Sequence, residues 1–238
     1  MQTTLTPDRK VTILRSTSLF AGLTETELLR LAGLGRLLHL EPKEALFFRG
    51  DPGDCLYIVV EGVVRIGSVS AEGHEVTLNL MTAGQMFGEI AMLDGSERTA
   101  DASALDRVAL LALHRRHLLE FLARSPEACM RLLGTLCDRL RWISGLLEDA
   151  HFLDIPARLA KRVVMLGFLF GTTDAQARTH VSLRLSQQDL ASHIGATRES
   201  VNKLLRKWQD EGIITYEHGH LVIIDKQRLT DLFEPVSA

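Results

Sequence analysis

Two short segments of the chain contain side chains whose types and spacing could support binding chemistry. The first is FGEIAMLDGSERTA, residues 87–100. Gly88 lets a backbone amide approach a ligand closely, and the carboxylate of Glu89 can accept hydrogen bonds from sugar hydroxyls. Arg98 offers a planar pair of donors that matches a phosphate, and Thr99 adds a hydroxyl donor. The segment fits a small phosphate-sugar ligand, although a plain ion pair between glutamate and arginine explains the same residues equally well.

The second segment is LSQQDLASHIGATRESVNKLLRKWQDEGII, residues 185–214. Ser186 with Asp189 three residues later resembles a capping box, which begins a helix. Gly195 suits a tight turn, and Thr197 then caps a second helix. Two short apolar runs around a His-Gly turn follow directly and predict a terminal hairpin. Helix, turn, helix and hairpin in this order are typical of a winged helix-turn-helix.

The apolar spacing of the second helix predicts which of its side chains face DNA. An arginine can bind a guanine edge with two hydrogen bonds, a glutamate can accept from a cytosine amino group, and a lysine can reach a guanine or a phosphate. Ser186, Gln188 and Thr197 are better placed for the DNA backbone. The DNA-facing candidates are Ser186, Gln188, Thr197, Arg198, Glu199, Asn202 and Lys203. A pair of ordinary surface helices is the alternative.

The distribution of charge supports the nucleic-acid interpretation, whereas the total does not. The chain has a net charge of −3, yet residues 156–209 contain nine Lys or Arg against three acidic residues. A basic segment on an acidic body is typical of a phosphate-binding module. The three cysteines are widely spaced, so neither a metal site nor a disulfide framework is expected. No nucleophile-base pair stands at motif spacing, which argues against an enzyme.

The region before about residue 106 is rich in β-branched residues, glycine and turn formers. Strands are predicted at residues 56–60 and 63–66, joined as a hairpin through Glu61-Gly62, and a further hairpin-like pair lies at residues 100–112. Many short strands at close spacing favour an antiparallel β-barrel or jelly roll. Ahead of it, Thr24 caps a predicted helix over residues 25–34.

A helical period replaces the strand pattern after residue 115. Ser125 and Pro126 are typical of a helix start. Apolar residues then follow in alternating steps of four and three, which is the seam of a short coiled coil. We therefore expect a homodimer, while a helix packed on its own barrel is the alternative. The predicted dimer-interface residues are Cys129, Leu133, Leu136, Leu140, Ile143 and Leu147.

These patterns predict an α+β chain in three parts. Residues 1–124 form the β-barrel, residues 125–152 the dimerisation helix, and residues 153–238 the winged helix-turn-helix. The longest apolar run, residues 163–170, is too short to span a bilayer, and the N-terminus has no signal-peptide pattern. A reducing cytoplasm is the expected compartment.

The whole chain resembles the cyclic-AMP receptor protein/FNR superfamily of bacterial regulators. FGEIAMLDGSERTA, HFLDIPARLAKRV and TRESVNKLLRKWQDEGII carry the resemblance. It implies that Gly88 and Glu89 meet a ribose, with Ile90 beside them, and that Arg98 and Thr99 hold a cyclic phosphate. It also places Arg198, Glu199 and Lys203 on base-reading positions, with TGTGA-like half-sites arranged as a palindrome in double-stranded DNA.

Departures from the receptor-protein pattern bear on the ligand and the operator. Lys203 stands where that subgroup has arginine, and Thr99 stands where serine is usual. Ile143-Ser144 replaces a Thr-Ser pair that contacts adenine, and the side chain of Ile143 can neither donate nor accept a hydrogen bond. Cyclic AMP is the expected effector, with cyclic GMP and cyclic di-GMP as alternatives, and no cofactor is expected.

The sequence thus predicts a homodimeric, sequence-specific transcription regulator controlled by a cyclic nucleotide. RNA polymerase is an expected partner, and no membrane is. The rival hypothesis is the same DNA-binding regulator with a degenerate barrel, which binds no nucleotide or senses another signal.

Overall fold

The structure is a computed structural model that describes residues 6–234. These residues form two compact units. The first comprises residues 6–69 and 78–141, and the second comprises residues 70–77 and 142–234. No helix within residues 6–234 is long and apolar enough to cross a membrane.

In the described part of the N-terminal half, eight strands form two four-stranded sheets. The strands are β1 Arg36–Leu40, β2 Ala45–Phe47, β3 Cys55–Glu61, β4 Val64–Val69, β5 Glu75–Met81, β6 Met86–Phe87, β7 Asp101–Ala104 and β8 Val108–His114. One sheet has the order β1-β8-β3-β6, and the other has the order β2-β7-β4-β5. Strands β1 and β8 pair antiparallel from Arg36↔Ala112 to Leu40↔Val108. The arrangement is a jelly roll of two sheets and not a closed barrel.

The sheet that contains β3 and β8 is buried on both faces. Between the two sheets, Val59 and Leu110 belong to a core that also contains residues of β4 and β7. On the opposite face, Ile58 and Leu111 join a second core with helical residues. Those helices are α1 Pro7–Ser16, α2 Glu25–Leu34, α3 Glu89–Asp94, α4 Arg115–Leu122 and α5 Pro126–Phe152. Burial on both faces explains why β3 and β8 are almost continuously apolar.

Two connections predicted as hairpins are instead crossings between the sheets. Strands β3 and β4 lie in different sheets, and so do β7 and β8. The predicted hairpins over residues 56–66 and 100–112 are therefore wrong. At the crossings, the Val63 N–H donates to the Asp106 carboxylate at 2.7 Å, and the Leu105 N–H donates to the Val63 carbonyl at 2.9 Å. Each crossing is thus hydrogen-bonded to the other. The hairpin prediction failed because apolar alternation shows which face of a strand is buried but does not identify the neighbouring strand.

Local signals for the helices were accurate. Helix α2 spans Glu25–Leu34 with Thr24 in a complete capping box, and α5 begins at Pro126. The second unit continues with α6 Ile155–Phe170, β9 Gly171–Thr173, β10 Thr179–Val181, α7 Gln187–Ile194, α8 Arg198–Asp210, β11 Ile214–Glu217, β12 His220–Ile223 and α9 Lys226–Thr230. Strands β11 and β12 pair antiparallel, so the predicted hairpin after the two helices is confirmed. The predicted α+β architecture, with a long helix and a winged helix-turn-helix, is confirmed as well.

Candidate functional sites

A small cavity of about 40 Å³ opens in the first unit beside residues 87–100. Ligand pockets typically measure roughly 300–1,000 Å³, so the cavity is narrow in this structure. The structure brings together at this cavity all five ligand residues predicted in that segment, together with side chains that the sequence did not single out. The lining consists of Phe47, Ile66, Phe87, Gly88, Glu89, Ile90, Ala91, Arg98, Thr99, Ala100 and Arg139.

Gly88 stands at the start of the helix α3, Glu89–Asp94, and its backbone requires glycine. Its φ is +80°, in the left-handed region that side chains with a Cβ rarely adopt. A Cβ would also lie 2.6 Å from Nη1 of Arg98 and 3.2 Å from the Cys55 carbonyl oxygen. The close approach that the sequence suggested therefore exists, and here it serves the guanidinium of Arg98.

Glu89 is fully buried at the cavity wall, with an exposure of 0%. Its Oε1 lies 2.9 Å from Nη1 of Arg139, which projects from α5. Burial raises the pKa of Glu89, and the charge of Arg139 opposes that shift. Apart from this ion pair, neither carboxylate oxygen has a hydrogen-bond donor within the described residues. The carboxylate therefore has acceptor capacity left for a ligand hydroxyl.

Arg98 is a buried cation, with an exposure of only 4%. Nη1 donates to the Gly88 carbonyl and Nη2 to the Cys55 carbonyl, both at 2.9 Å. The guanidinium stacks 4.3 Å from the ring centre of Phe47. Its Nε is buried with no hydrogen-bond partner in the part of the chain that the structure describes. Over residues 6–234, no carboxylate lies within ion-pairing distance of Arg98, so the alternative of a plain Glu89–Arg98 ion pair is wrong.

Arg139 is the charged residue of this cavity that sequence reasoning missed. It pairs with Glu89 and also donates to the Met86 carbonyl oxygen, so it ties α5 to the strand that leads into α3. A signal was available, because Arg139 lies four residues before Ile143 and therefore on the same side of the helix. Ile143 and Ser144, which the resemblance assigned to the ligand, lie one turn further along α5, and the described cavity lining does not include them.

The predicted dimer seam is largely uncovered in the single chain. Leu133, Leu140, Ile143 and Leu147 of α5 are 44–67% exposed. Leu136 is half-buried, and Cys129 packs against the core of its own unit. A stripe of large apolar side chains along one helix is unusual for a surface that stays in water.

The helix-turn-helix is built as its local sequence predicts. Ser186 and Asp189 form a complete capping box at α7, and Gly195 ends that helix with φ +61°. The Thr197 hydroxyl accepts from the Ser200 N–H at 3.2 Å and caps α8, here called the recognition helix. Val201, Leu205 and Trp208 anchor the recognition helix in the core. The opposite face is left to the polar residues.

The outer surface of this unit contains two adjoining concave areas. The first, the wing groove, is lined by Arg184, Ser186, Gln187, Gln188, Arg198, Tyr216, His218 and Gly219. The second, the helix groove, is lined by Glu199, Asn202, Lys203, Arg206, Lys207, Asp210 and Glu211. The structure thus places Ser186, Gln188 and Arg198 together, and Glu199 with Lys203. Thr197 is exposed but lines neither groove. Asn202 was predicted to face outward; it is half-buried and accepts a hydrogen bond from Gln187 at 3.2 Å.

Sequence reasoning missed the wing side of the wing groove. Nε of Arg184 donates to the His218 carbonyl oxygen at 2.7 Å, and the Tyr216 hydroxyl donates to the Leu185 carbonyl oxygen at 2.8 Å. Burial raises the pKa of Tyr216, and the negative charge of Asp189 raises this pKa further. These bonds fix the wing against the segment that precedes α7. The available signal was the basic Arg184 two residues before the Ser186 cap.

Comparison with known proteins bears on both sites. Residues 37–125 match the family model described as a cyclic nucleotide-binding domain, and residues 157–232 match the one described as a Crp-like helix-turn-helix domain. A CRP-like cAMP-activated global transcriptional regulator from Mycobacterium tuberculosis is 34% identical over 217 residues, which is 91% of this chain and 96% of that protein. The chain belongs to the cyclic-AMP receptor protein/FNR superfamily.

Other members of the cyclic-AMP receptor protein/FNR superfamily agree over most of the chain. The cyclic AMP receptor protein of Thermus thermophilus is 32% identical over 225 residues, covering 92% of this chain and 98% of that protein. A CRP-family transcriptional regulator from the same species has a solved structure with 25% identity and a TM-score of 0.69, covering 81% of this chain and 94% of that one.

Membership in the superfamily confirms the class of function. The chain is a DNA-binding transcription regulator with a cyclic nucleotide-binding domain, and the family consists of regulators rather than enzymes. Within residues 6–234, no group of three or more His, Cys, Asp or Glu could hold a metal ion. The roles of individual residues stay predictions.

Proposed function

We propose that the cavity of the first unit binds cyclic AMP and that Arg98, with Thr99, holds its phosphate. The observation that carries this proposal is the buried guanidinium of Arg98, which has no carboxylate partner over residues 6–234 and an unpartnered Nε. Burying a cation without a counter-charge is costly. An anionic ligand would supply that counter-charge inside the cavity, where Thr99 offers a further hydroxyl donor.

The carboxylate of Glu89 supports a sugar next to that phosphate. Arg139 fixes its position, and its buried oxygens lack hydrogen-bond donors within the described residues. A ribose hydroxyl is a neutral donor that would satisfy such an acceptor without adding charge. A negatively charged ligand group beside Glu89 would instead be repelled by its carboxylate.

The charge balance of the cavity favours a mononucleotide over cyclic di-GMP. Two arginines and one glutamate leave one positive charge. A cyclic mononucleotide carries one negative charge, whereas cyclic di-GMP carries two and has twice as many bases. The two relatives described above are named for cAMP. Cyclic GMP differs in its base alone and is the alternative within this proposal. The expectation that Ile143 and Ser144 contact the base stays a prediction.

We also propose that the chain acts as a homodimer through α5. The support is the exposed apolar stripe formed by Leu133, Leu140, Ile143 and Leu147, which follows heptad spacing within the 27-residue helix α5. Two copies packed along this stripe would cover it symmetrically. Two recognition helices would then read two half-sites one helical turn apart.

For DNA, we propose that Arg198, Glu199 and Lys203 read bases in a TGTGA-like half-site. Their exposure on the first turns of the recognition helix supports this role. Ser186, Gln188 and Thr197 would contact the DNA backbone. The nucleotide would favour the DNA-competent arrangement through its differential affinity for that arrangement. RNA polymerase is the proposed further partner.

One observation favours the rival with a degenerate cavity: two nitrogens of Arg98 already donate to backbone carbonyls. Titration calorimetry of the full chain against cyclic AMP, cyclic GMP and cyclic di-GMP separates the two hypotheses. We expect saturable binding of cyclic AMP, lost in Arg98→Ala and retained in Arg107→Ala, whose guanidinium is exposed.

Each outcome of that titration is informative. Binding of cyclic di-GMP alone would contradict the charge argument. Absence of binding by any of the three nucleotides, with DNA binding intact, would favour the rival. Equal loss in Arg98→Ala and Arg107→Ala would contradict the assignment of the phosphate to Arg98.

A further inference from the structure

The helix α3 carries Glu89 and Ile90 on the cavity wall, yet it has only six residues. Isolated helices of this length are not stable in water. Gly88, at its N-terminal end, supplies no side-chain cap. Arg139 pairs with the carboxylate of Glu89, but the position of the Glu89 backbone also depends on what holds the other end of the helix.

The C-terminal end of α3 is held by Arg115. Its Nε donates to the Met92 carbonyl oxygen at 2.7 Å, and its Nη2 lies 3.5 Å from the Leu93 carbonyl oxygen. These carbonyls belong to the last turn of the helix, where acceptors lack partners inside the helix and a positive charge is favourable. The guanidinium also packs closely on Gly95, because a Cβ there would lie 3.4 Å from Nη2.

The backbone of Arg115 is itself firmly placed. It is the first residue of α4 and follows β8 directly, and its N–H donates to the Asp54 carbonyl oxygen at 2.7 Å. Beyond it, Leu118 of α4, Leu132 of α5 and Met92 of α3 belong to one buried core. Arg115 thus joins α3 to α4, the helix that precedes α5 in the chain.

We propose that Arg115 is a positioning residue for the ligand cavity. It fixes the C-terminal end of α3 and through the helix sets the place of Glu89 at the opposite end. The proposal rests on the proposed function in one respect, namely that a cyclic nucleotide occupies the cavity. Arg115 does not line the described cavity, so its effect on the ligand is indirect.

The test compares Arg115→Met and Arg115→Lys with Arg116→Met, the same change at the exposed neighbouring arginine. Two measurements are made on the full chain: the dissociation constant for cyclic AMP, and amide hydrogen exchange of residues 89–95 without nucleotide. We expect Arg115→Met to weaken binding about tenfold and to accelerate exchange at Gly95, whose N–H bonds the Ala91 carbonyl. Arg115→Lys should recover part of both effects, and Arg116→Met should change neither.

The outcomes are distinguishable. A variant Arg115→Met that is less stable but binds cyclic AMP as the parent does would overturn the positioning role. Unchanged exchange in residues 89–95 would overturn it as well. If the parent protein binds no cyclic nucleotide, the proposed function fails; the exchange comparison, made without nucleotide, still decides whether Arg115 holds α3.

Discussion

The cavity and the recognition helix place the same kinds of side chain in opposite environments. Glu89 and Arg98 are almost fully buried, and each is oriented by named partners. Arg198 and Glu199 stand exposed at the start of the recognition helix. Buried charges interact strongly and are little screened by salt, whereas exposed charges are weakly coupled and strongly screened. Loss of one buried group should therefore disturb the whole site, and loss of one exposed group should remove a single contact.

The largest effect on stability is expected for Arg139→Ala. Removing one partner of a buried pair leaves an uncompensated charge, so the free energy of unfolding should fall by about 3 kcal/mol or more. Urea denaturation of the full chain measures this loss. The matched control is Arg141→Ala, whose exposed ion pair with Asp138 should contribute little.

A second background tests the cause of that loss. In a protein that already carries Glu89→Gln, the change Arg139→Ala should cost much less, because no buried carboxylate remains to be paired. The same loss in both backgrounds would mean that Arg139 acts through packing, and the contrast between the cavity and the recognition helix would lose its basis.

For the exposed region, Arg198→Ala should lower discrimination at one base pair by about 1–3 kcal/mol. Arg184→Ala in the wing groove is the comparison, because we expect this arginine to contact a DNA phosphate, and loss of such a contact should weaken binding to all sequences alike and reduce the salt slope by about one. Binding to a set of single-base operator variants at several salt concentrations measures both. A uniform loss in Arg198→Ala would assign this residue to the backbone instead of a base.

The pH dependence of stability should separate the regions further. Because burial raises the pKa of Glu89, the folded chain holds this proton to a higher pH than the unfolded chain does. The contribution of Glu89 to stability is therefore fully present below its unfolded pKa and is lost as pH rises through the folded value. Glu89→Gln should become more stable relative to the parent as pH rises across that window. A stability difference that does not change with pH would contradict a buried, titrating carboxylate.

Local sequence predicted much of the fold and of the DNA-binding surface. Thr24, Ser186 and Thr197 cap helices as predicted, since a cap and its acceptor lie within a few residues of one another. Strand partners were not predictable in this way, and both expected hairpins are crossings between sheets. Apolar alternation is a property of one strand, whereas pairing depends on the whole topology.

The same division applies to the candidate sites. Glu89 and Arg98 were found because they share one short segment with a recognisable pattern. Arg139 and Arg115 reach the cavity region from elements distant in sequence, so the pattern of residues 87–100 does not mark them, and the spacing of Arg139 from Ile143 on α5 was the one available signal. Asn202 shows both sides, because it lines the helix groove and also accepts a hydrogen bond from Gln187 of α7, a partner that helical spacing does not mark.

The smallest change in the free energy of unfolding is expected for Lys161→Met, which removes an exposed charge beside buried ones in the second unit. Nζ of Lys161 lies 2.5 Å from Oδ1 of Asp149, and the lysine is nearly half exposed. Burial lowers the pKa of the neighbouring Arg162 to about 10, and Asp149 opposes that shift. Lys161→Met should change the free energy of unfolding by about 0.5 kcal/mol or less, and high salt should remove the difference.

Asp149→Asn is the matched change on the other side of this pair. It should cost more than Lys161→Met at every salt concentration, because the carboxylate also compensates the buried Arg162. Urea denaturation at low and high salt measures both variants. If the two variants lose the same free energy of unfolding, and high salt removes both losses, then Asp149 stabilises the protein only through its ion pair with the exposed lysine. Burial would then not be the reason why some charged groups of this protein contribute more to stability than others.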